Sequence, residues 1–200
     1  MNRMTPKEYV DWFYKKFNDG LKSKFSPDII NREHLDQEEI IKLIEEHNCK
    51  SVLEIGTWEG QTGLLIWLHP NVEKFRAIDI HKDMNIPYTS AMHNTNEVEK
   101  EFIGHYLKNT NTEIDFIDTM KWKPSGHFDM VFIDGNHDLE HVRNDTLKAL
   151  ELNPKIIVWH DIAHNTDTDC VPMFLEEFKQ THPQYIIHII KNTEIGYILT

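Results

Sequence analysis

The stretch Ser51-Val52-Leu53-Glu54-Ile55-Gly56-Thr57-Trp58-Glu59-Gly60-Gln61-Thr62 constrains the fold more than any other in this chain. Val52, Leu53 and Ile55 read as a short buried strand, and Leu64 to Leu68 as a buried helix. Between them Gly56 and Gly60 stand four residues apart. A strand, a glycine turn and a helix in that order aim backbone N–H groups at whatever lies over the helix N-terminus. Glycine lets that backbone approach a ligand closely. The spacing is Gly-x-x-x-Gly, not the Gly-x-Gly-x-x-Gly of dinucleotide binders. Glu54 lies two residues before the first glycine, where it would repel a pyrophosphate but not a ligand carrying a positive amino group.

The rest of the chain alternates strands with helices. Residues 5–18 read as an amphipathic helix, with Thr5 as N-cap, Pro6 at the first helical position and Glu8 closing a capping box. Its stripe of Tyr9, Val10, Phe13 and Phe17 fits either core packing or a lid over a site. Residues 20–34, with Gly20 and Ser26-Pro27, read as irregular, and 36–48 as a second helix leading into the first strand. Lys74 to Ile80 reads as the second strand, 81–94 as a polar loop, 95–108 as a helix and Glu113 to Ile117 as the third strand. Phe128 to Asp134 and Lys155 to Trp159 follow as strands four and five, each leading to a helix, at 138–151 and 170–181. Residues 185–190 and 195–199 read as an antiparallel hairpin. This order predicts a doubly wound α/β, Rossmann-like sheet of seven strands, five parallel plus the terminal antiparallel pair, with helices on both faces. With no repeat and no low-complexity linker, 1–200 reads as one domain: a helical extension at 1–48 and the core at 49–200.

Composition narrows the function. The formal net charge is −12, which disfavours a nucleic-acid partner, since phosphate binding relies on clustered Lys and Arg. Cys49 and Cys170 are isolated, the N-terminus lacks an apolar signal core, and no apolar run approaches the ~18 residues of a membrane span. A cytoplasmic protein acting on a small molecule, away from membranes, is the expectation; a homodimer is one open oligomeric state.

In open α/β sheets the ligand sits outside the carboxyl ends of the strands. Glu54 to Gly60, Asp79, Asp118, Asp134 with His137, and His160 with Asp161 all fall there. Asp79 lies about twenty residues past the glycine turn, where an acidic residue accepts from ribose hydroxyls in related folds; it also reads as an ordinary strand-end aspartate. Asp134, His160 and Asp161 end neighbouring strands and suit a divalent cation: oxygen ligands favour Mg²⁺ or Ca²⁺, and imidazole shifts the choice toward Mn²⁺, Fe²⁺ or Zn²⁺. The same residues also read as a polar rim, with His160 donating to a carbonyl. His137 and His141, one helical turn apart, offer a further ligand.

Glu54-Ile55-Gly56-Thr57-Trp58-Glu59-Gly60 resembles the first motif of class I S-adenosylmethionine-dependent methyltransferases. Phe132-Ile133-Asp134-Gly135-Asn136-His137 and Ile157-Val158-Trp159-His160-Asp161 are similar to the small-molecule branch that includes catechol- and cephalosporin-type metal-dependent O-methyltransferases. The resemblance covers about residues 50–180. It implies a cofactor site at Glu54, Gly56, Thr57, Trp58, Gly60, Asp79, Ile80, Asp118, Thr119 and Asp134. Asp118 would accept from the adenine amino group. Catalysis would fall to Asp134, His137 and His160, and a Mg or Mn ion to Asp134, His160 and Asp161. Two positions depart from the branch: Ile162 replaces the catechol-type asparagine, and His160 replaces the cephalosporin-type glutamate. The catechol-type catalytic lysine has no counterpart. A non-catalytic cofactor binder, or another enzyme class on this fold, is the rival expectation.

Overall fold

The computed structural model describes residues 4–17, 27–80, 103–108, 110–163 and 170–200. Two helices open the chain, α1 (Pro6–Phe17) and α2 (Pro27–Glu46). The core follows as β1 (Ser51–Ile55), α3 (Gln61–Trp67), β2 (Lys74–Asp79), a 3₁₀ turn (His105–Leu107), β3 (Glu113–Phe116) and β4 (Met130–Ile133). It ends with α4 (Leu139–Glu151), β5 (Ile156–Trp159), α5 (Val171–Thr181), β6 (His188–Ile189) and β7 (Gly196–Leu199).

The seven strands form one sheet in the order β3-β2-β1-β4-β5-β7-β6. The first five run parallel; β7 pairs antiparallel with β5, and β6 with β7. The chain reverses its direction of travel across the sheet beside β1 and β4, the position where ligands bind in such sheets.

Because successive side chains on a strand face opposite ways, one sheet buries two cores. Val52, Phe75, Ala77, Met130, Phe132, Ile156 and Val158 pack with α1, α2 and α3 through Tyr9, Val10, Phe13, Ile40, Ile41, Ile44, Leu64 and Leu65. Leu53, Ile55, Ile78, Val131, Ile133, Ile157 and Trp159 pack on the other face with α4 and α5 through Val142, Ala149, Phe174 and Phe178. Burial on both faces explains why the central strands read as continuous apolar runs. At the amino edge Asp129 ties the strands together, accepting from the amides of Lys50 at 2.7 Å and Ser51 at 3.1 Å and pairing with Lys155 at 3.0 Å.

The capping box at α1 is present: Thr5 N donates to Glu8 Oε2 at 2.8 Å and Glu8 N to Thr5 Oγ1 at 3.3 Å. The expected irregular stretch 20–34 is partly helical, since α2 begins at Pro27 rather than near residue 36. Proline breaks a helix interior but fits its first turn, so Pro27 opens the helix. The expected loop at 81–94 and most of the helix at 95–108 lie outside the described residues; its final part is the 3₁₀ turn at His105–Leu107. Among the described residues no helix is long and apolar enough to cross a membrane.

Candidate functional site

The ladder between the central strands sets out the site. Gly56 N donates to Ile78 O at 2.8 Å, Asp134 N to Ile55 O at 2.8 Å, and His160 N to Ile133 O at 3.0 Å. Each residue is the first one past its strand, so Gly56, Asp134 and His160 stand in a row along the carboxyl edge. Gly56 adopts φ +84°, and a Cβ there would overlap the Asp134 carbonyl oxygen. Only glycine allows the turn and the end of β4 to touch in this way.

The turn itself is held by Asp79. Its Oδ2 accepts from the amides of Thr57 and Trp58, both at 2.8 Å, and Oδ1 accepts from Ile80 N at 2.6 Å. Trp58 has φ +47°, an uncommon conformation for a bulky residue. The two amides captured by Asp79 fix that backbone. Burial raises the Asp79 carboxyl above its ordinary value, against the three amide bonds, which lower it. A carboxylate has about four acceptor sites, so Oδ1 retains capacity for a ligand hydroxyl.

Glu54 is fully buried beneath the turn, where Thr57 Oγ1 donates to its Oε2. Burial pushes its carboxyl up to about 8. Gly63 leaves room for it, since a Cβ at that position would meet Glu54 Oε2 at 2.5 Å. A pocket opens above these groups, lined by Asp36, Gln37, Ile40, Glu54, Gly56, Thr57, Trp58, Glu59, Gly60, Gln61, Thr62, Phe132, Asp134 and His160.

At the next strand ends charges collect. His160 Nδ1 lies 3.0 Å from Asp161 Oδ2 and 3.6 Å from Asp134 Oδ1, while its Nε2 lies 3.2 Å from Asp36 Oδ2. His137 Nε2 lies 3.1 Å from Asp161 Oδ2. Burial works against a charged imidazole at His160, but the carboxylates of Asp134, Asp161 and Asp36 outweigh it and raise its pKa well above the ordinary value. Burial likewise lifts the Asp134 carboxyl, to about 7. Asp161 goes the other way: the two imidazoles beside it overcome burial and hold it well below the usual range.

The ligand atoms of Asp134, His137 and Asp161 lie within 4.8 Å of one another. Two carboxylates and an imidazole are a donor set that fits a divalent cation. His160 borders the same two carboxylates through Nδ1, while its Nε2 meets Asp36. His141 does not stack on His137: Asp138 is the N-cap of α4, so His137 precedes the helix, and His141 Nδ1 faces Asp138 at 3.8 Å. Asp118 and Thr119 follow β3 and form a turn, with Asp118 Oδ1 accepting from Met120 N at 2.9 Å and Lys148 Nζ donating to Thr119 O at 2.6 Å.

The reading of the sequence missed Asp36 and Gln37. Both are buried on α2 and both line the pocket. Asp36 stands one turn before Ile40 on the apolar face of the helix, and a lone carboxylate on such a face was the available signal. Gln37 Nε2 donates to Thr62 Oγ1 at 3.2 Å, and Tyr14 Oη donates to Gln37 Oε1 at 2.6 Å, which joins α1 and α2 to the start of α3.

The family model of the methyltransferase domain matches residues 53–162, more than half of the chain. The chain belongs to this methyltransferase-domain family. No curated protein matches it by sequence. Among solved structures, a putative caffeoyl-CoA O-methyltransferase from Staphylococcus aureus superposes with a TM-score of 0.56 at 14% identity, covering 96% of this chain and 99% of that one. The S-adenosylhomocysteine-bound Podospora anserina methyltransferase PaMTH1 gives 0.54 at 15% identity, covering 98% and 88%. An O-methyltransferase from Bacillus cereus in complex with S-adenosylhomocysteine gives 0.51 at 16% identity, covering 100% and 93%. These likenesses define a shared Rossmann-like methyltransferase fold.

Proposed function

We propose that the protein is an S-adenosylmethionine-dependent methyltransferase acting on an oxygen of a small molecule or sugar. The observation that carries this reading is the row of Gly56, Asp134 and His160 at the carboxyl edge, beside a glycine turn held by Asp79. Two of the similar structures hold S-adenosylhomocysteine, and two are named as O-methyltransferases, one of them putatively, which supports the same reading. In it Asp79 and Ile80, at the end of β2, would hold the ribose, and Asp118 and Thr119, after β3, the adenine. The turn of Gly56, Thr57, Trp58 and Gly60, with Glu54 beneath it, would hold the methionine end beside Asp134.

The sulfonium is a strong electrophile, so the protein mainly aligns the partners and removes a proton. The acceptor O–H gives its proton to a base and the oxygen forms a bond to the methyl carbon. The sulfur–carbon bond breaks, its electron pair returns to sulfur, and neutral S-adenosylhomocysteine leaves. Asp134 fits the base, because a carboxyl lifted to about 7 is poised near neutral pH. His160, held as a cation among carboxylates, fits a role in fixing charge and orientation; His137 beside Asp161 completes the rim. Alternatively, Asp134, His137 and Asp161 would hold a Mg or Mn ion, which would supply Lewis acidity toward a hydroxyl in place of Asp134 as base.

The test uses methyl-tritiated S-adenosylmethionine with a panel of hydroxylated small molecules and sugars, with and without chelator. The expected result is label on an acceptor oxygen, lost in Asp134→Asn while S-adenosylhomocysteine still binds. No cofactor binding and no labelled product would overturn the reading.

A further inference from the structure

We propose that Asp36, on the N-terminal helix α2, is a positioning residue for His160, so that this helix completes the reactive edge. What His160 is positioned to do rests on the methyltransferase reading; the contact itself does not.

Asp36 is only 3% exposed. A carboxylate so deeply placed is costly unless its oxygens receive donors. Here each oxygen has one. Glu194 N donates to Oδ1 at 2.9 Å, and His160 Nε2 stands 3.2 Å from Oδ2. Glu194 in turn receives Ile162 N on its carbonyl at 3.3 Å and Ala163 N on Oε2 at 2.9 Å. The segment just after His160-Asp161 is therefore clamped by the β6–β7 turn, and that turn by Asp36.

A purely structural role needs only the bond to Glu194. The second oxygen instead points into the pocket and takes hold of an imidazole 124 positions further along the chain. The partner of one ring nitrogen fixes where the other points. With Nε2 on Asp36, Nδ1 faces Asp161 and Asp134. Nδ1 is buried beside Asp161 and Asp134, and Nε2 meets Asp36, so α2 fixes one end of the ring while the strand ends face the other. Asparagine at position 36 would have one acceptor oxygen for two donors and would leave one of them unserved.

The test is proton–nitrogen NMR on protein with isotope-labelled histidine, the His160 signal being identified by its loss in His160→Gln. In the wild type the expected pattern has a proton on Nε2. In Asp36→Asn, shown folded by circular dichroism, the Nε2 proton is expected to shift upfield and to exchange faster with water, having lost its carboxylate acceptor. A wild-type His160 with bare Nε2 overturns the proposal whether or not the variant folds, and so does a folded Asp36→Asn with an unchanged His160 pattern. A parallel titration of wild-type protein with S-adenosylhomocysteine keeps the questions apart: absence of binding sinks the methyltransferase reading and leaves the Asp36 result standing.

Discussion

Replacing Gly56 with alanine tests whether the turn and the β4 end truly meet. The added methyl group would overlap the Asp134 carbonyl oxygen and lie 2.5 Å from both the Asp134 carbonyl carbon and Gly135 Cα. All three are backbone atoms of the site, so relief requires β1 and the β4 end to separate. The φ of +84° adds the cost of a left-handed conformation. Gly126 is the control: its φ is +91°, yet the atoms nearest to a methyl group placed there lie at 3.8 Å. Both variants carry the conformational cost, about 1–2 kcal/mol. Only Gly56→Ala adds overpacking, about 1–3 kcal/mol more. Equilibrium unfolding in urea should therefore show a loss of roughly 2–5 kcal/mol for Gly56→Ala against about 1–2 for Gly126→Ala. The folded fraction of Gly56→Ala should also bind S-adenosylhomocysteine more weakly. Equal losses in the two variants, with binding intact, would refute the reasoning.

Asp79→Ala frees the amides of Thr57, Trp58 and Ile80, and should weaken S-adenosylhomocysteine binding by roughly 1–3 kcal/mol in calorimetry; unchanged affinity removes Asp79 from the site. Glu54 carries a pH effect: its folded carboxyl titrates at about 8 against 4.5 unfolded, so the folded state holds a proton the unfolded state has released, and stability falls as pH rises across that window. Glu54→Gln should match wild type near about pH 5 and gain on the order of a few kcal/mol over it near about pH 8; parallel pH profiles of melting temperature would contradict this. Phe13→Ala should cost roughly 3–5 kcal/mol, because Phe13 is fully buried where α1 joins the core shared with α2, α3 and the sheet; a loss under about 1 kcal/mol would mean that α1 only rests on the surface.

The strands and the carboxyl-edge residues are legible in the sequence because their signals are local. Val52 to Ile55, Met130 to Ile133 and Ile156 to Trp159 are buried on both faces, and the residue after each strand is glycine, aspartate or histidine. Alternation of strand and helix then fixes the edge on which Gly56, Asp134 and His160 meet. The start of α2 is not legible, because Ser-Pro punctuates helix starts and loops alike. That Asp36 reaches His160 is not legible, because Asp36 comes from a helix far away in sequence. Asp79 is recognisable as the acid that ends β2, but not as the group that holds Thr57 and Trp58, because main-chain donors leave no mark on residue type.

The central claim is that this carboxyl edge binds S-adenosylmethionine. Titration calorimetry of the purified protein with S-adenosylhomocysteine, set beside the Asp79→Ala variant and beside NADH as a competing ligand class, tests it most directly. Saturable one-to-one binding to wild type, weakened binding to Asp79→Ala and no heat from NADH are expected. Absence of binding to S-adenosylhomocysteine in folded wild-type protein, or equal binding to Asp79→Ala, would contradict it.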